Sequence, residues 1–419
     1  MSTQSERTIT AAAVPAEEKT LFPYWTKVVF VFFLGWIFMY ADRTILNPVM
    51  KNIQSEFGLS KSDLGLISSV FFLSYAAMQI PAGVLGDKIG RKIVLVPGFL
   101  LFGIFTGVSG MMKSFNSFLV ARFMTGIGEG TYYGPQYALS SEAIPQKYRS
   151  LGSAIINSGM AFGISLGFLA SSYVTLDLGL SWQTPFYIFA APTIITGFLI
   201  WWVVKEGKRN QPAGAATEAT QKVSVASLFK NRNLLMTYIM VFCSLYGFFM
   251  ILTWLPYYLQ TERGIQGSQI GIISSLVPWA SIPGALFFSY VSDRIGKRKP
   301  LAFLLVPLAA ISICATVYIQ DFNMLLAALV FYGLTGKLAL DPVLVAFVAD
   351  NAPKNGYSTA FGVYNFVGMS SSILAPFITG YIADITGTLT AGFYISAALL
   401  MFGLVCMAFT TENKQTETA

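Results

Sequence analysis

Six charged side chains interrupt long apolar stretches of this sequence; they are Asp42, Arg43, Arg122, Glu129, Lys337 and Asp341. A charge among apolar residues is costly unless it is paired or functional, so these residues are the first candidates for chemistry. The carboxylates can accept protons, and the guanidinium and ammonium groups can bind anions. The 419 residues include no histidine, so proton transfer would have to use the carboxylates.

Asp42 and Arg122 are predicted to lie at the same depth and to form a coupling pair. Protonation of Asp42 would break this pair and loosen the contact between two helices; the alternative is a permanent salt bridge that only tethers them. Glu129 lies two helical turns beyond Arg122 on the same face, without an evident partner. Desolvation favours its neutral form, so Glu129 is the preferred carrier of a transported proton; a buried, hydrogen-bonded acid is the alternative.

Arg43 follows Asp42 and points about 100° away from it around the helix. Its planar guanidinium group would there be free to bind a carboxylate. Lys337 has two interpretations: it is a second substrate cation, or it pairs with Asp341 four residues later. If Lys337 is paired with Asp341, a substrate with one carboxylate is favoured. If Lys337 is unpaired, a dicarboxylate becomes a competitive substrate. The adjacent Pro342 should disrupt the helix.

Four further polar side chains, Tyr40, Tyr75, Tyr133 and Asn365, lie inside apolar stretches and could donate hydrogen bonds to substrate hydroxyl groups. The chain has 20 tyrosines and 35 phenylalanines, so ordinary packing is the alternative for each tyrosine.

The composition indicates a membrane protein. Hydrophobic residues make up 54% of the chain, charged residues 11%, and the mean hydropathy is +0.61. A soluble domain carries about 25% charged residues, so most of this surface must face lipid. The net charge of +7 does not indicate nucleic acid, because the basic residues lie in short loops. Cys243, Cys314 and Cys406 have no metal-site spacing and are interpreted as packing residues; no metal or cofactor is expected.

Apolar runs predict twelve transmembrane helices, each near the 20 residues that a bilayer requires. Their approximate ranges are 27–49, 62–84, 93–112, 115–140, 150–173, 183–204, 233–258, 268–291, 300–320, 322–349, 357–382 and 388–411. A polar linker at 205–232 divides them into six-helix bundles at 27–204 and 233–411, with tails at 1–26 and 412–419. The first residues lack the pattern of a signal peptide, so the first span should stay uncleaved.

Loop charges predict the orientation of these spans. Most lysines and arginines fall in loops on the side of the two termini, and the four on the other side are Lys51, Lys61, Lys113 and Arg263. Positive loops stay in the cytoplasm, so both termini of this multi-pass protein of the plasma (inner) membrane are predicted to be cytoplasmic.

The two halves repeat. Residues 83–92 read Gly-Val-Leu-Gly-Asp-Lys-Ile-Gly-Arg-Lys, and residues 289–298 read Ser-Tyr-Val-Ser-Asp-Arg-Ile-Gly-Lys-Arg. Asp87 and Asp293 are 206 residues apart, and the same offset carries the first span onto the seventh. Two repeated six-helix halves with a site between them are typical of transporters that rock their halves.

These paired loops, together with Arg122-Phe-Met-Thr-Gly-Ile-Gly on the fourth span, resemble the signature motifs of the major facilitator superfamily. Tyr40-Ala-Asp-Arg on the first span and Gly-Glu129-Gly on the fourth resemble the anion:cation symporter family, which includes sugar-acid symporters and sialin-type carriers. This resemblance implies anion recognition at Arg43, a site lined by Tyr40 and Tyr75, and a monomer. The fifth span lacks the Gly-Pro element of drug antiporters, which favours a symporter.

The paired loops also contain candidate gating residues: Asp87 and Arg91 in the first half, and Asp293 and Arg294 in the second. They are expected to close the cytoplasmic side rather than to bind substrate.

The favoured function is proton-coupled uptake of a small organic anion, most simply a sugar acid. The alternatives are export of amphipathic drugs and carriage of an aromatic or short-chain carboxylate. An enzyme is disfavoured because the sequence shows no metal-ligand cluster and no sizeable extramembrane domain. A receptor is disfavoured because no loop is long enough for an output domain.

Overall fold

The computed structural model describes residues 23–206, 225–353 and 357–412, whose regular structure is helical. Eleven helical segments in these ranges are long and apolar enough to cross a membrane. The remaining predicted span, the fourth, consists of two shorter helices. The prediction of an all-helical protein with twelve spans in two bundles is confirmed.

The described part of the first half contains eight α-helices, with short 3₁₀ or π segments beside some of them: α1 Tyr24–Ile45, α2 Met50–Phe57, α3 Lys61–Ile89, α4 Arg91–Met111, α5 Phe115–Gly130, α6 Tyr133–Ala143, α7 Arg149–Ser172 and α8 Thr184–Val203. Eight more make up the described part of the second half: α9 Val225–Lys230, α10 Arg232–Thr261, α11 Gln269–Ile295, α12 Lys299–Tyr318, α13 Phe322–Thr335, α14 Lys337–Asn351, α15 Tyr357–Thr386 and α16 Thr390–Ala408. The end of the helix bundle that holds the start of α1 and the end of α16 is called the terminal side, and the other end of the bundle is called the opposite side.

The fourth and tenth spans are each broken, unlike the continuous helices expected for 115–140 and 322–349. α5 ends at Gly130 and α13 ends one residue before Gly336, and the two glycines are 206 residues apart. A Cβ on Gly130 would lie 2.6 Å from the carbonyl oxygen of Tyr75, so this close approach requires glycine. A break in a helix within a membrane span is tolerated where the break lines a cavity.

The two bundles meet along two helix pairs, α3 with α15 and α7 with α11. Small residues allow the backbones of these pairs to approach closely. A Cβ on Gly65 of α3 would lie 2.7 Å from the carbonyl carbon of Pro376, and a Cβ on Gly271 of α11 would lie 2.6 Å from the carbonyl oxygen of Phe168. Gly65 and Gly271 are also 206 residues apart, so both contacts belong to the internal repeat.

The predicted linker and tails are described only in part. The short helix α9 lies in the predicted linker, and the Asn231 side chain caps the start of α10 by accepting hydrogen bonds from the backbone of Asn233 and Leu234. Several predicted segments lie wholly or partly outside the described parts of the chain, namely residues 1–22, 207–224 and 413–419. The prediction of an uncleaved N-terminal segment falls on the first of these ranges.

Candidate functional site

Asp42 of α1 and Arg122 of α5 form the ion pair that their predicted depths indicated. Arg122 Nη1 donates to Asp42 Oδ1 and Oδ2 at 3.1 and 2.9 Å, and both side chains are buried. The Thr106 hydroxyl of α4 donates to Asp42 Oδ1 at 2.8 Å. The pair therefore ties three helices of the first bundle together, and Thr106 is a partner that the sequence did not reveal.

Arg43 and Glu129 form a second buried ion pair, which corrects the expectation that Glu129 lacks a partner and that Arg43 is free. Arg43 Nε donates to Glu129 Oε1 at 2.5 Å, and Nη2 also contacts that oxygen. Asp42 and Arg43 point in different directions around α1, but the long guanidinium side chain still reaches α5. Because an unpaired buried charge is costly, the two charges pair when nothing else neutralises them.

Glu129 is engaged through one oxygen. Its Oε2 atom is buried and accepts no hydrogen bond from the described residues. The guanidinium of Arg43 also lies between aromatic rings, 4.5 Å from the ring centre of Tyr40, 4.7 Å from that of Tyr75 and 5.5 Å from that of Phe72. Aromatic faces attract a cation, so Arg43 remains held at the wall if Glu129 releases it.

A cavity of about 630 Å³ lies between the bundles beside these pairs. All six residues predicted to bind substrate line it: Tyr40, Arg43, Tyr75, Tyr133, Lys337 and Asn365. Its polar lining also includes residues that no sequence pattern had indicated, namely Trp36, Tyr137, Asn157, Ser158, Ser281 and Tyr364. The volume and the mixed aromatic and polar lining suit one small organic molecule.

Aromatic side chains form the wall of the cavity in the first bundle. Trp36 stacks on Tyr40 with ring centres 5.6 Å apart, and Tyr133 and Tyr137 are 4.9 Å apart. The Tyr137 hydroxyl donates to Asn157 Oδ1 at 2.8 Å. Trp36 lies four residues before Tyr40, on the same helical face, which is the signal that could have revealed it.

Lys337 of α14 is tied to Asp341. The ammonium lies 3.3 Å from Asp341 Oδ2, and the Tyr364 hydroxyl of α15 donates to Asp341 Oδ1 at 2.9 Å. The internal ion pair, one of the two interpretations of the sequence, is the arrangement found here.

The cavity is closed on the opposite side. Hydrogen bonds between the bundles lie there: Asn47 Nδ2 donates to the Leu252 carbonyl at 2.9 Å, and the Tyr257 hydroxyl donates to Gln54 at 2.6 Å. The lining also includes residues near the terminal side, such as Ala154 and Ile155 close to the start of α7 and Leu286 in the second half of α11. The cavity therefore faces the terminal side.

Comparisons with known proteins agree with this architecture. Residues 32–268 and 237–419 match the family model described as Major Facilitator Superfamily. The chain belongs to the major facilitator superfamily. It is a multi-pass membrane transporter and not an enzyme.

Two curated relatives are carriers of organic acids. The hexuronate transporter of Bacillus subtilis is 26% identical over 396 residues, covering 90% of this chain and 92% of the relative. The cis,cis-muconate transport protein of Acinetobacter baylyi is 26% identical over 398 residues, covering 93% and 95%. A solved structure, the inward-facing, unoccupied bacterial homologue of the human lysosomal transporter Spinster, has a TM-score of 0.76. It is 17% identical and covers 92% of this chain and 95% of that one, so it supports the fold alone.

The superfamily loop motifs lie at the terminal side, and the ion pairs that Arg91 and Asp293 form with described residues stay within one bundle. Arg91 contacts Glu142 and lies 3.5 Å from Asp87; Asp293 pairs with Arg298 at 3.1 Å. Arg294, the other gating candidate in this loop, forms no ion pair with a described residue. In this conformation these four gating candidates form no ion pair with a described residue of the other bundle, in keeping with an open terminal side.

Proposed function

We propose that this superfamily transporter takes up a small organic anion together with protons, and that its substrate is a sugar acid or a related hydroxy carboxylate. The observation that carries the proposal is the buried Arg43–Glu129 pair at the cavity wall. The similarity to a hexuronate transporter and to a cis,cis-muconate transport protein supports an organic-acid substrate.

The pair couples proton and substrate through competition for one guanidinium. With Glu129 ionised, Arg43 is neutralised and attracts a substrate carboxylate weakly. A proton on Glu129 removes that counter-charge, and Arg43 can then make a bidentate contact with the substrate. Proton and anion therefore favour each other's binding, which is the thermodynamic requirement for symport.

Asp42 and Arg122 supply a second proton-sensitive contact. Protonation of Asp42 would weaken the tie between α1 and α5 and leave Thr106 as its remaining partner. Because α1 carries Arg43 and α5 carries Glu129, this contact influences the geometry of the first pair. We assign Asp42, Arg122 and Glu129 to proton coupling.

Hydroxyl recognition is assigned to Tyr40, Tyr75, Tyr133 and Asn365, which line the cavity around Arg43. The stacked aromatic wall also favours a second candidate, an unsaturated or aromatic carboxylate, because flat apolar groups pack well on such rings. A binding panel of hexonates, hexuronates and aromatic acids separates the two.

The bias of basic residues toward the terminal side supports an orientation with both termini in the cytoplasm of the inner membrane. The open cavity then faces the cytoplasm. We infer that Asp87, Arg91, Asp293 and Arg294 approach the other bundle when that side closes.

Proteoliposome uptake tests the proposal. A labelled sugar acid should accumulate under an inward proton gradient and should stop accumulating when a protonophore collapses the gradient. Accumulation that requires a sodium gradient instead would contradict proton coupling.

A further inference from the structure

The wall contributed by the second bundle contains its own charge pair. Lys337 and Asp341 both line the cavity, and their side chains are 14% and 34% exposed. Lys337 lies in the first turn of α14, after the break at Gly336. A cation at the positive end of a helix is unfavourable without a nearby anion, and Asp341 supplies that anion.

The charges around the cavity balance. Arg43 and Lys337 are positive, whereas Glu129 and Asp341 are negative, so the four groups sum to zero. One proton on Glu129 leaves a single positive charge, which one substrate carboxylate neutralises. A second carboxylate at Lys337 would have to share the ammonium with Asp341 or displace Asp341, and in either case it would face the negative charge of Asp341.

Tyr364 makes that displacement harder. Its hydroxyl donates to Asp341 Oδ1 at 2.9 Å, while Lys337 contacts the other carboxylate oxygen. Asp341 is therefore held from two helices, α14 and α15.

We propose that Asp341 determines substrate specificity: by holding Lys337 it restricts the site to substrates with one carboxylate and disfavours dicarboxylates of the same length. This inference rests on the proposed function, because it assumes that Arg43 binds the first carboxylate.

The test compares a six-carbon aldonate with the matching aldarate by calorimetric binding to the purified transporter. The wild-type protein should prefer the aldonate. In Asp341→Asn the ratio of aldarate to aldonate affinity should rise by about tenfold or more, since Lys337 is released. Tyr364→Phe, a smaller change, should raise the ratio less. Asp341→Asn combined with Lys337→Gln should lose the gain, and Glu56→Gln, on the opposite side, is the matched surface control.

Failure of the inference can be separated from failure of the proposed function. An unchanged ratio in both Asp341→Asn and Tyr364→Phe, with aldonate binding still dependent on Arg43, would overturn the specificity role alone. Equal wild-type affinity for the two acids would also overturn it. Absence of binding by either acid would overturn both proposals.

A separate observation concerns the opposite side, where carboxylates cap helices across the bundle boundary. Asp384 at the end of α15 accepts hydrogen bonds at 2.8 Å from the backbone N–H groups of Lys61 and Ser62, which begin α3. Asp177, which follows α7, accepts one at 2.8 Å from the backbone of Ser268, which precedes α11. Lys61 Nζ in return donates to the carbonyls of Ala383 and Gly387 at 3.2 and 3.0 Å.

The two contacts belong to the internal repeat. Residues 62–69 read Ser-Asp-Leu-Gly-Leu-Ile-Ser-Ser, and residues 268–275 read Ser-Gln-Ile-Gly-Ile-Ile-Ser-Ser, at the 206-residue offset. The serine of each segment is capped by the other bundle, and the glycine, Gly65 or Gly271, lets the helices approach. A carboxylate at a helix N-terminus meets both unpaired N–H groups and the positive end of the helix dipole.

We infer that the caps by Asp177 and Asp384 form a paired latch that holds the opposite side closed and must release before that side opens. This inference does not depend on the substrate.

Distances between spin labels at positions 55 and 323, on opposite bundles at the closed side, test the latch in a background without the native cysteines. Asp177→Asn with Asp384→Asn should add a population with longer distances, and Ser62→Ala should add a smaller one. Asp63→Asn is the matched control, because among the described residues the Asp63 carboxylate accepts hydrogen bonds from Ser60, at the start of the same helix α3. Wild-type distances in both latch variants would overturn the inference.

Discussion

Arg43 of α1 and Glu129 of α5 form a buried ion pair beside a cavity that faces the terminal side. Both charges are withdrawn from water, and Glu129 Oε2 has no hydrogen-bond partner among the described residues. A pair with one unused acceptor atom can take up a proton without first breaking another hydrogen bond.

Glu129→Gln should abolish accumulation of a labelled sugar acid under a proton gradient, because the amide cannot release or take up the coupled proton. Exchange of external for internal substrate needs no net proton movement and should survive. Counterflow and gradient-driven uptake in the same proteoliposomes measure the two activities, with Glu56→Gln as control. Normal accumulation in both Glu129→Gln and Asp42→Asn would mean that coupling uses other groups.

Anion binding by the wild-type protein should weaken as pH rises. The affinity falls with rising pH because ionised Glu129 and the substrate carboxylate compete for the Arg43 guanidinium. A higher pH removes the proton from Glu129 and therefore weakens substrate binding. In Glu129→Gln this dependence should be lost over the range in which the substrate itself stays ionised. Equilibrium binding between pH 5 and 9 is the measurement, and an unchanged pH dependence in the variant would assign the titration elsewhere.

Asp42→Asn should lower thermal stability more than Thr106→Val does. The first change leaves Arg122 buried without its counter-charge, at a cost of about 3–5 kcal/mol. The second removes one hydrogen bond to a charged group, worth about 1.5–3 kcal/mol. Adding Arg122→Gln to Asp42→Asn should recover part of the loss. Thermal unfolding of the purified proteins gives the ranking, and a greater loss in Thr106→Val would contradict it.

Single cysteines at positions 88 and 297 test the orientation. Both lie in the paired loops at the terminal side, so an impermeant maleimide should label them only after the membrane is opened. A cysteine at position 51 on the opposite side should be labelled in intact cells. Labelling of either loop position from outside would overturn the assigned topology.

Much of the fold follows from patterns along one chain. The lengths of the apolar runs indicate the spans, and the repeat of Asp87 at Asp293 indicates two related halves. The six predicted lining residues were found because polar groups in apolar helices are few and therefore informative. The breaks at Gly130 and Gly336 were missed, because a glycine within an apolar run is compatible with a continuous helix.

Contacts between helices required the structure. The pairing of Arg43 with Glu129 depends on how α1 crosses α5, and the sequence does not contain that angle. Thr106 and Asn157 come from helices whose rotation about their own axes is set by packing. The helix caps at Asp177 and Asp384 join residues from different halves, whose proximity no local pattern indicates.

The most direct test of anion recognition is the binding of a sugar acid and of its neutral parent sugar to the purified transporter, with Arg43 intact and in Arg43→Gln. We expect the acid to bind the wild-type protein and the neutral sugar not to bind. We also expect Arg43→Gln to weaken acid binding by about 3–5 kcal/mol, the loss expected when a buried charge loses its partner. Equal affinity for both ligands, or unchanged acid affinity in Arg43→Gln, would contradict the assignment of this transporter as an anion symporter.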